Sequence, residues 1–246
     1  MESGEREQRP FGQLHPRTAI ECRGMQRDEA HVWILELDRH DAGLEAVLSA
    51  EERRRAARFR LAHVRRRFIA AHGQLRIVLS GYLDRAPERI VIRRDRHGKP
   101  TVPGISFNLS HSGTLALAAI GTRPLGVDIE RSRPRPAAMR LAGRYFSDPE
   151  IAGLKAEAPS RRLRAFYACW TRKEAVVKAL GMGLRFALDR FAVSVDPGAE
   201  RPALRWIGAR PRGDWKLRRI DVPAGYEAAI AIDASVRRLR VRKHAE

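Results

Sequence analysis

Segments typical of β-strands and segments with helical periodicity follow one another in a similar order on each side of about residue 125. The strongly apolar HVWILELD (31–38) predicts a strand, and helical patterns at 44–59 and 64–83 follow it. No sequence repeat relates the two sides, so their similarity rests on element order alone. This order predicts an α+β fold made of two similar, pseudo-duplicated halves.

The remaining elements and the divisions of the chain follow from the same patterns. SAEE has the capping-box spacing, from Ser49 to Glu52, that marks a helix start. We divide the chain into a loosely ordered N-terminal arm (1–29), an N-terminal α+β half (30–125) and a C-terminal α+β half (126–246). The other predicted elements are a strand then turn at 88–100, strand, loop and strand at 104–121, a strand at 124–131, helices at 137–146, 146–155 and 161–180, and strands at 190–195, 214–221 and 226–233.

The balance of charge is strongly basic, with a formal net charge of +19. A surface of this kind attracts polyanions, which include nucleic acid, phosphorylated cofactors, anionic membranes and acidic proteins. Charge alone does not choose among these partners. Only six of the 48 basic residues are lysines, and a composition rich in Arg and Ala can reflect coding bias as easily as function.

The cysteines and the apolar runs bear on the compartment. Cys22 and Cys169 lie far apart and have no metal-ligand spacing, which fits a reducing compartment. The polar N-terminus lacks the apolar core of a secretory signal, and no run approaches the roughly 18 apolar residues of a membrane span. We therefore expect a cytoplasmic protein.

The sequence GVDIE (126–130) places two carboxylates two residues apart on an expected strand. Asp128 and Glu130 then point to the same face, because side chains alternate along a strand. Aligned carboxylates repel each other unless a cation or a proton lies between them, and oxygen ligands of this kind suit Mg²⁺. A solvated strand face paired with arginines explains the motif as well.

A second polar motif, NLSHSG (108–113), places Ser110, His111 and Ser112 in an expected loop between apolar strands. Hydroxyls and an imidazole can donate to phosphate oxygens, although an ordinary hairpin connection remains an alternative. A Ser–His hydrolase is disfavoured because the chain has no GxSxG elbow. HGKP (97–100) puts Lys99 at a tight turn.

The stretch CWTRKEAVVKALGMGL (169–184) combines an apolar helical pattern with charges. Glu174 and Lys178 share a face with apolar anchors, and Lys173 is offset around the helix axis. One interpretation is a helix-stabilising Glu174–Lys178 pair at i,i+4. The other is a third carboxylate facing Asp128 and Glu130, with lysines available for phosphate charge.

Taken together and in this order, GKP, FNLSHS, GVDIE and WTRKEAVVKALGMGL resemble the motif set of the 4′-phosphopantetheinyl transferases, specifically the larger Sfp type. The resemblance runs from about residue 31 to 233. It implies the pseudo-duplicated fold of that family, with the active site in the cleft between the halves. The two-half form is usually monomeric, so the resemblance also implies a monomer.

The resemblance implies a role for each matching residue. Asp128, Glu130 and Glu174 would ligate Mg²⁺, with Asp128 and Glu174 also taking part in catalysis. Glu174 would be the base for the attacking serine, directly or through water, and Lys178 would contact the pyrophosphate. Residues implied to hold coenzyme A are Lys99, Ser110, His111 (near the 3′-phosphate), Lys173, Arg53, Arg55 and Arg67.

The implied reaction is Mg²⁺-dependent transfer of 4′-phosphopantetheine from coenzyme A to a serine of an apo acyl or peptidyl carrier protein, with release of adenosine 3′,5′-bisphosphate. Carrier proteins are usually acidic, so the basic surface would assist the encounter. The alternatives are a basic nucleic-acid-binding protein and a metal-dependent nuclease. No helix-turn-helix, zinc-finger or aromatic RNA-binding pattern supports the first, and the second would use Asp128, Glu130 and Glu174 with two ions. We expect neither nucleic acid nor a membrane as a partner.

Overall fold

The computed structural model describes residues 25–38, 42–183, 186–208, 211 and 213–243. The predicted N-terminal arm (1–29) lies outside these residues except for 25–29, and Cys22 lies outside them too. Within the described ranges no helix is both long and apolar enough to cross a membrane. The fold is mixed α+β, as the sequence predicts.

Five α-helices carry the helical part of the described chain. They are α1 (Ala50–Ala57), α2 (Ala62–Leu83), α3 (Ala138–Tyr145), α4 (Asp148–Ala156) and α5 (Pro159–Leu180). The Ser49–Glu52 capping box is confirmed, and it starts α1 at Ala50 rather than at residue 44. Residues Ala42–Glu45 form a separate 3-10 turn instead. A second capping box, between Ser147 and Glu150, starts α4.

The strands form two main sheets. The first has the order β11-β1-β5-β4 and the second the order β6-β10-β9. Their bounds are β1 (Glu29–Glu36), β4 (Ser106–Ser112), β5 (Leu115–Gly121), β6 (Leu125–Arg131), β9 (Trp215–Arg219), β10 (Tyr226–Asp233) and β11 (Arg238–Lys243). Two small pairs join β2 (Arg93–Arg94) to β3 (Pro100–Thr101) and β7 (Phe191–Val193) to β8 (Leu204–Trp206).

One expectation about local structure is met only in part, and another is wrong. The strand then turn predicted at 88–100 is present, but the strand, β2, has two residues and follows a 3-10 turn at Pro87–Arg89. NLSHSG is not a loop, because residues 106–112 continue as β4 through the serines and the histidine. The turn comes one residue later, where Gly113 has the positive φ of 60° that glycine adopts freely.

The last described strand, β11, pairs with the first one, β1. β11 pairs in parallel with β1, with Val241 opposite Val32, so a strand from beyond residue 126 completes the sheet that β1, β5 and β4 begin. Helix α2 covers one face of this sheet and α5 packs on the second sheet, each over buried apolar side chains. A third apolar cluster, which includes Val32, Leu117 and Ile230, fills the space between the two sheets.

Candidate active site

The two carboxylates of GVDIE lie on one face of β6, as the sequence predicts, and β4 holds both. Ser110 Oγ donates to Asp128 Oδ1 at 2.7 Å, and Ser112 Oγ donates to Glu130 Oε2 at 2.8 Å. Asp128 is buried, with a relative exposure of 4%, whereas Glu130 is half-buried. The acids therefore stand in fixed positions at the edge of the second sheet.

Helix α5 reaches these acids because it packs directly against β6 at a glycine. A Cβ atom on Gly126 would lie 2.3 Å from both Ala175 O and Ala179 N. These are main-chain atoms, so they cannot move without displacing the helix. The helix and strand therefore approach more closely than any larger residue would allow. This close approach carries the last turns of α5, and with them Lys178, to the acidic face of β6.

Lys178 makes the central contact of the site. Its ammonium lies 2.5 Å from Asp128 Oδ1 and also donates to Ser110 Oγ at 3.0 Å and to Val127 O at 3.3 Å. The ion pair is only partly exposed, so bulk water screens it less than it would a surface pair. The sequence predicts Lys178 near these acids as a pyrophosphate contact, and the structure shows it paired with Asp128.

Glu174 lies one helical turn before Lys178 and shares the electrostatic environment of the two strand acids. Burial raises its pKa, and the charges of Asp128 and Glu130 raise it further, while Lys178 opposes them. Burial also raises the pKa of Glu130, against the hydrogen bond from Ser112. The site therefore holds carboxyl groups that take up protons more readily than carboxyl groups in water.

The carboxyl groups offer oxygen donors, but as described they do not form a finished metal site. No group of three or more His, Cys, Asp or Glu side chains within the described ranges is arranged to hold a metal ion. Asp128 Oδ2 is nevertheless buried and has no hydrogen-bond partner there. A buried carboxylate oxygen without a donor is costly unless a cation meets it. Asp128 is therefore the acid whose free carboxylate oxygen is most suited to ligate a divalent ion.

A second group of titratable side chains lies beside the acids and is basic in character. His111 follows Ser110 on β4, and burial lowers its pKa, as do the nearby charges of Lys178 and Arg55. Burial also lowers the pKa of His72, on α2, to about 4, and Arg55 and His111 contribute to that shift. Arg55 stacks 5.3 Å from the ring centroid of Phe68. In the cluster of Arg55, His72 and His111, Arg55 supplies the positive charge and an imidazole N–H can donate a hydrogen bond, which suits an anion such as a phosphate.

Two other arginines with predicted coenzyme A contacts are engaged elsewhere. Arg67 pairs with Asp38 through two hydrogen bonds of 2.6 and 2.8 Å. The guanidinium of Arg53 donates to the main-chain oxygen of Leu48. Of the three arginines singled out from the sequence, Arg55 is thus the one that the structure brings close to His111.

Lys99 reaches across from the turn between β2 and β3 to the end of α5. Its ammonium donates to the main-chain oxygens of Lys178 at 2.7 Å, Leu125 at 3.2 Å and Ala179 at 3.3 Å. These three acceptors match the three donors of an ammonium group. Burial lowers the pKa of Lys99. Lys99 is therefore adjacent to the site, but its donors contact the protein itself.

The assignment of Lys173 to coenzyme A is corrected by the structure. Its side chain has a relative exposure of 0% and lies in the core behind α5. The ammonium contacts both carboxylate oxygens of Glu150, at 2.6 and 2.7 Å, and the main-chain oxygen of Phe191 at 2.6 Å. It is thus fully paired on the side of the helix away from the acids, and we do not assign it a ligand.

Sequence reasoning missed several residues that shape the site. His72 sits in an apolar helical pattern that carries no motif, and the GVDIE motif by itself gives Gly126 no role. The loop predicted at NLSHSG gives no structural role to Asn108 or Ser112. The period-2 spacing of Asn108, Ser110 and Ser112 was the available signal, because it places all three side chains on one face of a strand.

The fold and the site define an α+β protein in which acids and a lysine stand beside a His–Arg cluster, an arrangement that suits a phosphate-bearing substrate. A family model described as the 4′-phosphopantetheinyl transferase superfamily matches residues 124–231, and one described as 4′-phosphopantetheinyl transferase, N-terminal, matches residues 38–122. The chain belongs to the 4′-phosphopantetheinyl transferase family.

Named relatives agree with this assignment over most of their length. The 4′-phosphopantetheinyl transferase HetI of Nostoc sp. is 37% identical over 180 residues, which cover 69% of this chain and 76% of HetI. A putative 4′-phosphopantetheinyl transferase of Synechocystis sp. is 32% identical, covering 66% of this chain and 69% of that protein. The 4′-phosphopantetheinyl transferase Sfp of Bacillus subtilis is 32% identical, covering 60% and 66%.

Proposed function

We propose that this protein transfers the 4′-phosphopantetheine group of coenzyme A to a serine of an apo acyl or peptidyl carrier protein. The observation that carries the proposal is the contact between Lys178 and Asp128, which joins the two motifs expected to handle the pyrophosphate. Membership of the 4′-phosphopantetheinyl transferase family supports the same reaction. We place the reaction in a cleft between two similar halves of the chain.

The reaction is a phosphoryl-type displacement. The carrier serine oxygen forms a bond to the phosphorus that bears pantetheine, and the bond from that phosphorus to the bridging oxygen breaks. Adenosine 3′,5′-bisphosphate leaves with the bridging oxygen. Glu174 takes the serine proton, directly or through a water, and burial beside Asp128 raises the pKa of its carboxyl group, which makes the carboxylate a stronger base.

Mg²⁺ fits the donor set of the site. We propose that Asp128, Glu130 and Glu174 hold it, with the unpartnered Asp128 Oδ2 as the first ligand. Mg²⁺ commonly binds through one or two carboxylates and takes its other ligands from water and substrate phosphates, so three convergent acids are not required in advance. When bound, it neutralises negative charge on the pyrophosphate.

The remaining residues bind and orient coenzyme A. Lys178 contacts the pyrophosphate once that group competes with Asp128 for its ammonium, and His111 with Arg55 receives the 3′-phosphate. Arg53 and Arg67 are farther candidates, since each is engaged with another group. The net charge of +19 assists the encounter with coenzyme A and with an acidic carrier. The monomeric state and the cytoplasmic location stay predictions from the sequence.

The test is incubation with coenzyme A, Mg²⁺ and a panel of apo carriers from fatty-acid, polyketide and peptide synthetases. We expect at least one carrier to gain the mass of phosphopantetheine, with release of adenosine 3′,5′-bisphosphate in equal amount. Omitting Mg²⁺ tests the metal requirement separately. Cleavage of DNA without bisphosphate release would instead support the nuclease alternative.

A further inference from the structure

Among the described residues, strand β6 has a backbone ladder on one side only. β10 pairs with one edge of it, and the opposite edge faces β4, which is the last strand of the other sheet. The two strands lie side by side, yet no backbone ladder joins them in the described chain. Buried N–H and C=O groups need partners, so the facing edge of β6 must be satisfied in another way.

Side chains of β4 accept the hydrogen bonds of that edge at every second residue. Asn108 Oδ1 accepts from Val127 N at 2.8 Å, Ser110 Oγ from Ile129 N at 3.4 Å and Ser112 Oγ from Arg131 N at 3.1 Å. Donor and acceptor numbers differ by 19 each time, so the strands run in parallel and in register. We call Asn108, Ser110 and Ser112 the side-chain ladder.

Two lysines donate to carbonyl groups of the same strand. Lys178 Nζ donates to Val127 O at 3.3 Å, and Lys99 Nζ donates to Leu125 O at 3.2 Å. On this edge of β6, side-chain oxygens of Asn, Ser and Ser therefore accept from main-chain N–H groups, and lysine ammonium groups donate to main-chain carbonyls. The GKP, FNLSHS and KEAVVK motifs therefore share one structural task.

The two serines of the ladder also hold the acids. A hydroxyl has one proton to donate and two lone pairs that accept. In Ser110 the proton goes to Asp128 and a lone pair meets Ile129 N. In Ser112 the proton goes to Glu130 and a lone pair meets Arg131 N. Each hydroxyl is therefore fixed from two directions, and it fixes a carboxylate in turn.

We propose that Ser110 and Ser112 are positioning residues, which fasten β6 to β4 and set the orientation of Asp128 and Glu130, rather than residues that hold the coenzyme A nucleotide. The proposal rests on the proposed transfer reaction for its catalytic part. The bonding of the hydroxyls carries it, because their protons already go to the acids. Ser110 is buried as well, with a relative exposure of 7%.

The test compares Ser112→Ala with Ser112→Thr, which keeps the hydroxyl. Ser106→Ala is the matched control, since Ser106 lies on the same face of β4 but makes no hydrogen bond to β6 within the described ranges. The first readout is exchange of the Arg131 amide hydrogen, followed by NMR without coenzyme A or metal. We expect Ser112→Ala to speed exchange at Arg131 by about fivefold or more, and the other two variants to match the wild type.

The second readout is transfer kinetics on an apo carrier. A positioning role predicts that Ser112→Ala lowers kcat about tenfold while KM for coenzyme A changes little, and that Ser112→Thr restores most of kcat. Unchanged exchange at Arg131 would overturn the proposal, and so would a raised KM with kcat intact. If exchange were faster but kcat normal, Ser112 would still fasten β6 to β4, but its role in orienting Glu130 would be overturned.

Failure of the proposed function would be recognised separately. If the wild type transferred nothing to any carrier, the positioning role would fall with the reaction, while amide exchange would still decide whether the side-chain ladder exists. Ser110→Ala, read at the Ile129 amide, repeats the comparison at an independent position and serves if Ser112→Ala does not fold.

Discussion

Lys173 Nζ lies 2.6 Å from Glu150 Oε2 in the core, while the carboxylate of the next residue, Glu174, faces the acids of β6. Successive residues on a helix point about 100° apart, so one step along α5 moves from the core to the site. Glu150 Oε1 also accepts a hydrogen bond from Val193 N at 2.8 Å. It therefore fixes the rotation of α5 and, with it, the direction of Glu174.

Breaking that pair should destabilise the protein strongly. Lys173→Met leaves the Glu150 carboxylate uncompensated in the core, and we expect the free energy of unfolding to fall by about 3–5 kcal/mol. Denaturant unfolding measures the change. Lys155→Met, at an exposed lysine of α4, is the control and should have almost no effect. A Lys173→Met protein of normal stability that bound coenzyme A weakly would return Lys173 to the ligand set.

Replacing Glu174 by Gln should abolish transfer while the fold stays intact. The amide cannot take the serine proton and contributes no negative charge. We expect circular dichroism and the unfolding midpoint to match the wild type while the rate falls by at least about a hundredfold. Glu88→Gln, at an exposed glutamate far along the chain, is the control. An undiminished rate for Glu174→Gln with Mg²⁺ present would remove Glu174 as the base.

The glycine under α5 should not tolerate a methyl group. Gly126→Ala places a Cβ atom 2.3 Å from main-chain atoms of the helix, so helix and strand must separate. We expect a loss of about 3 kcal/mol or more in unfolding free energy. Gly143→Ala is the matched control, because nothing lies within 4 Å of its added Cβ atom. That helical position should gain about 0.5–1 kcal/mol, and equal effects at the two glycines would contradict the close packing.

Protonation of His72 should make stability depend on pH between about 6.5 and 4. Burial lowers its pKa to about 4 against the nearby Glu52 carboxylate, whereas the unfolded chain has the ordinary value of 6.5. The unfolded state therefore binds the proton first as pH falls. The contribution of neutral His72 to the free energy of unfolding has its full value above pH 6.5. It falls by about 3 kcal/mol by pH 4.

Unfolding of His72→Phe and of the wild type across that range measures the effect. The His72→Phe variant should lose the extra slope between pH 6.5 and 4, since its ring cannot titrate. His63→Phe, at an exposed histidine of the same helix, should keep the wild-type slope. Identical slopes for the wild type and His72→Phe would mean that His72 is not buried in its neutral form.

The cluster around His111 should recognise the 3′-phosphate. His111→Ala is expected to raise KM for coenzyme A by about tenfold or more, because a hydrogen bond to a charged group is lost. The 3′-dephospho analogue lacks that charge, so its KM should hardly change. Steady-state kinetics with both substrates gives the comparison, and His63→Ala serves as the control. Equal increases for the two substrates would remove His111 from the 3′-phosphate.

The sequence predicts best what local periodicity determines. Alternation along GVDIE places Asp128 and Glu130 together, and the helical pattern places Glu174 and Lys178 on one face. It predicts less where tertiary contacts decide. Lys173 follows no pattern that distinguishes a core pair from a phosphate ligand, because its partner Glu150 lies 23 residues away.

Two strands show why polar composition misleads. The segment around Ser110 has the hydroxyls of a loop, yet it pairs with β5 as an extended strand and its serines accept from the edge of β6 at every second position. β11 reads RLRVRK, in which Leu239 and Val241 share one face but are only two apolar residues among four charged ones. Its pairing with β1 depends on a strand roughly two hundred residues earlier, which no window of sequence contains.

The parallel register of β11 beside β1 has a consequence for synthesis. Residues 29–36 leave the ribosome well before residues 238–243, the neighbour that covers their outer edge. Until it arrives, β1 stays an open edge to which another nascent chain could add. Completion of the first sheet thus waits until residues 238–243 have been translated.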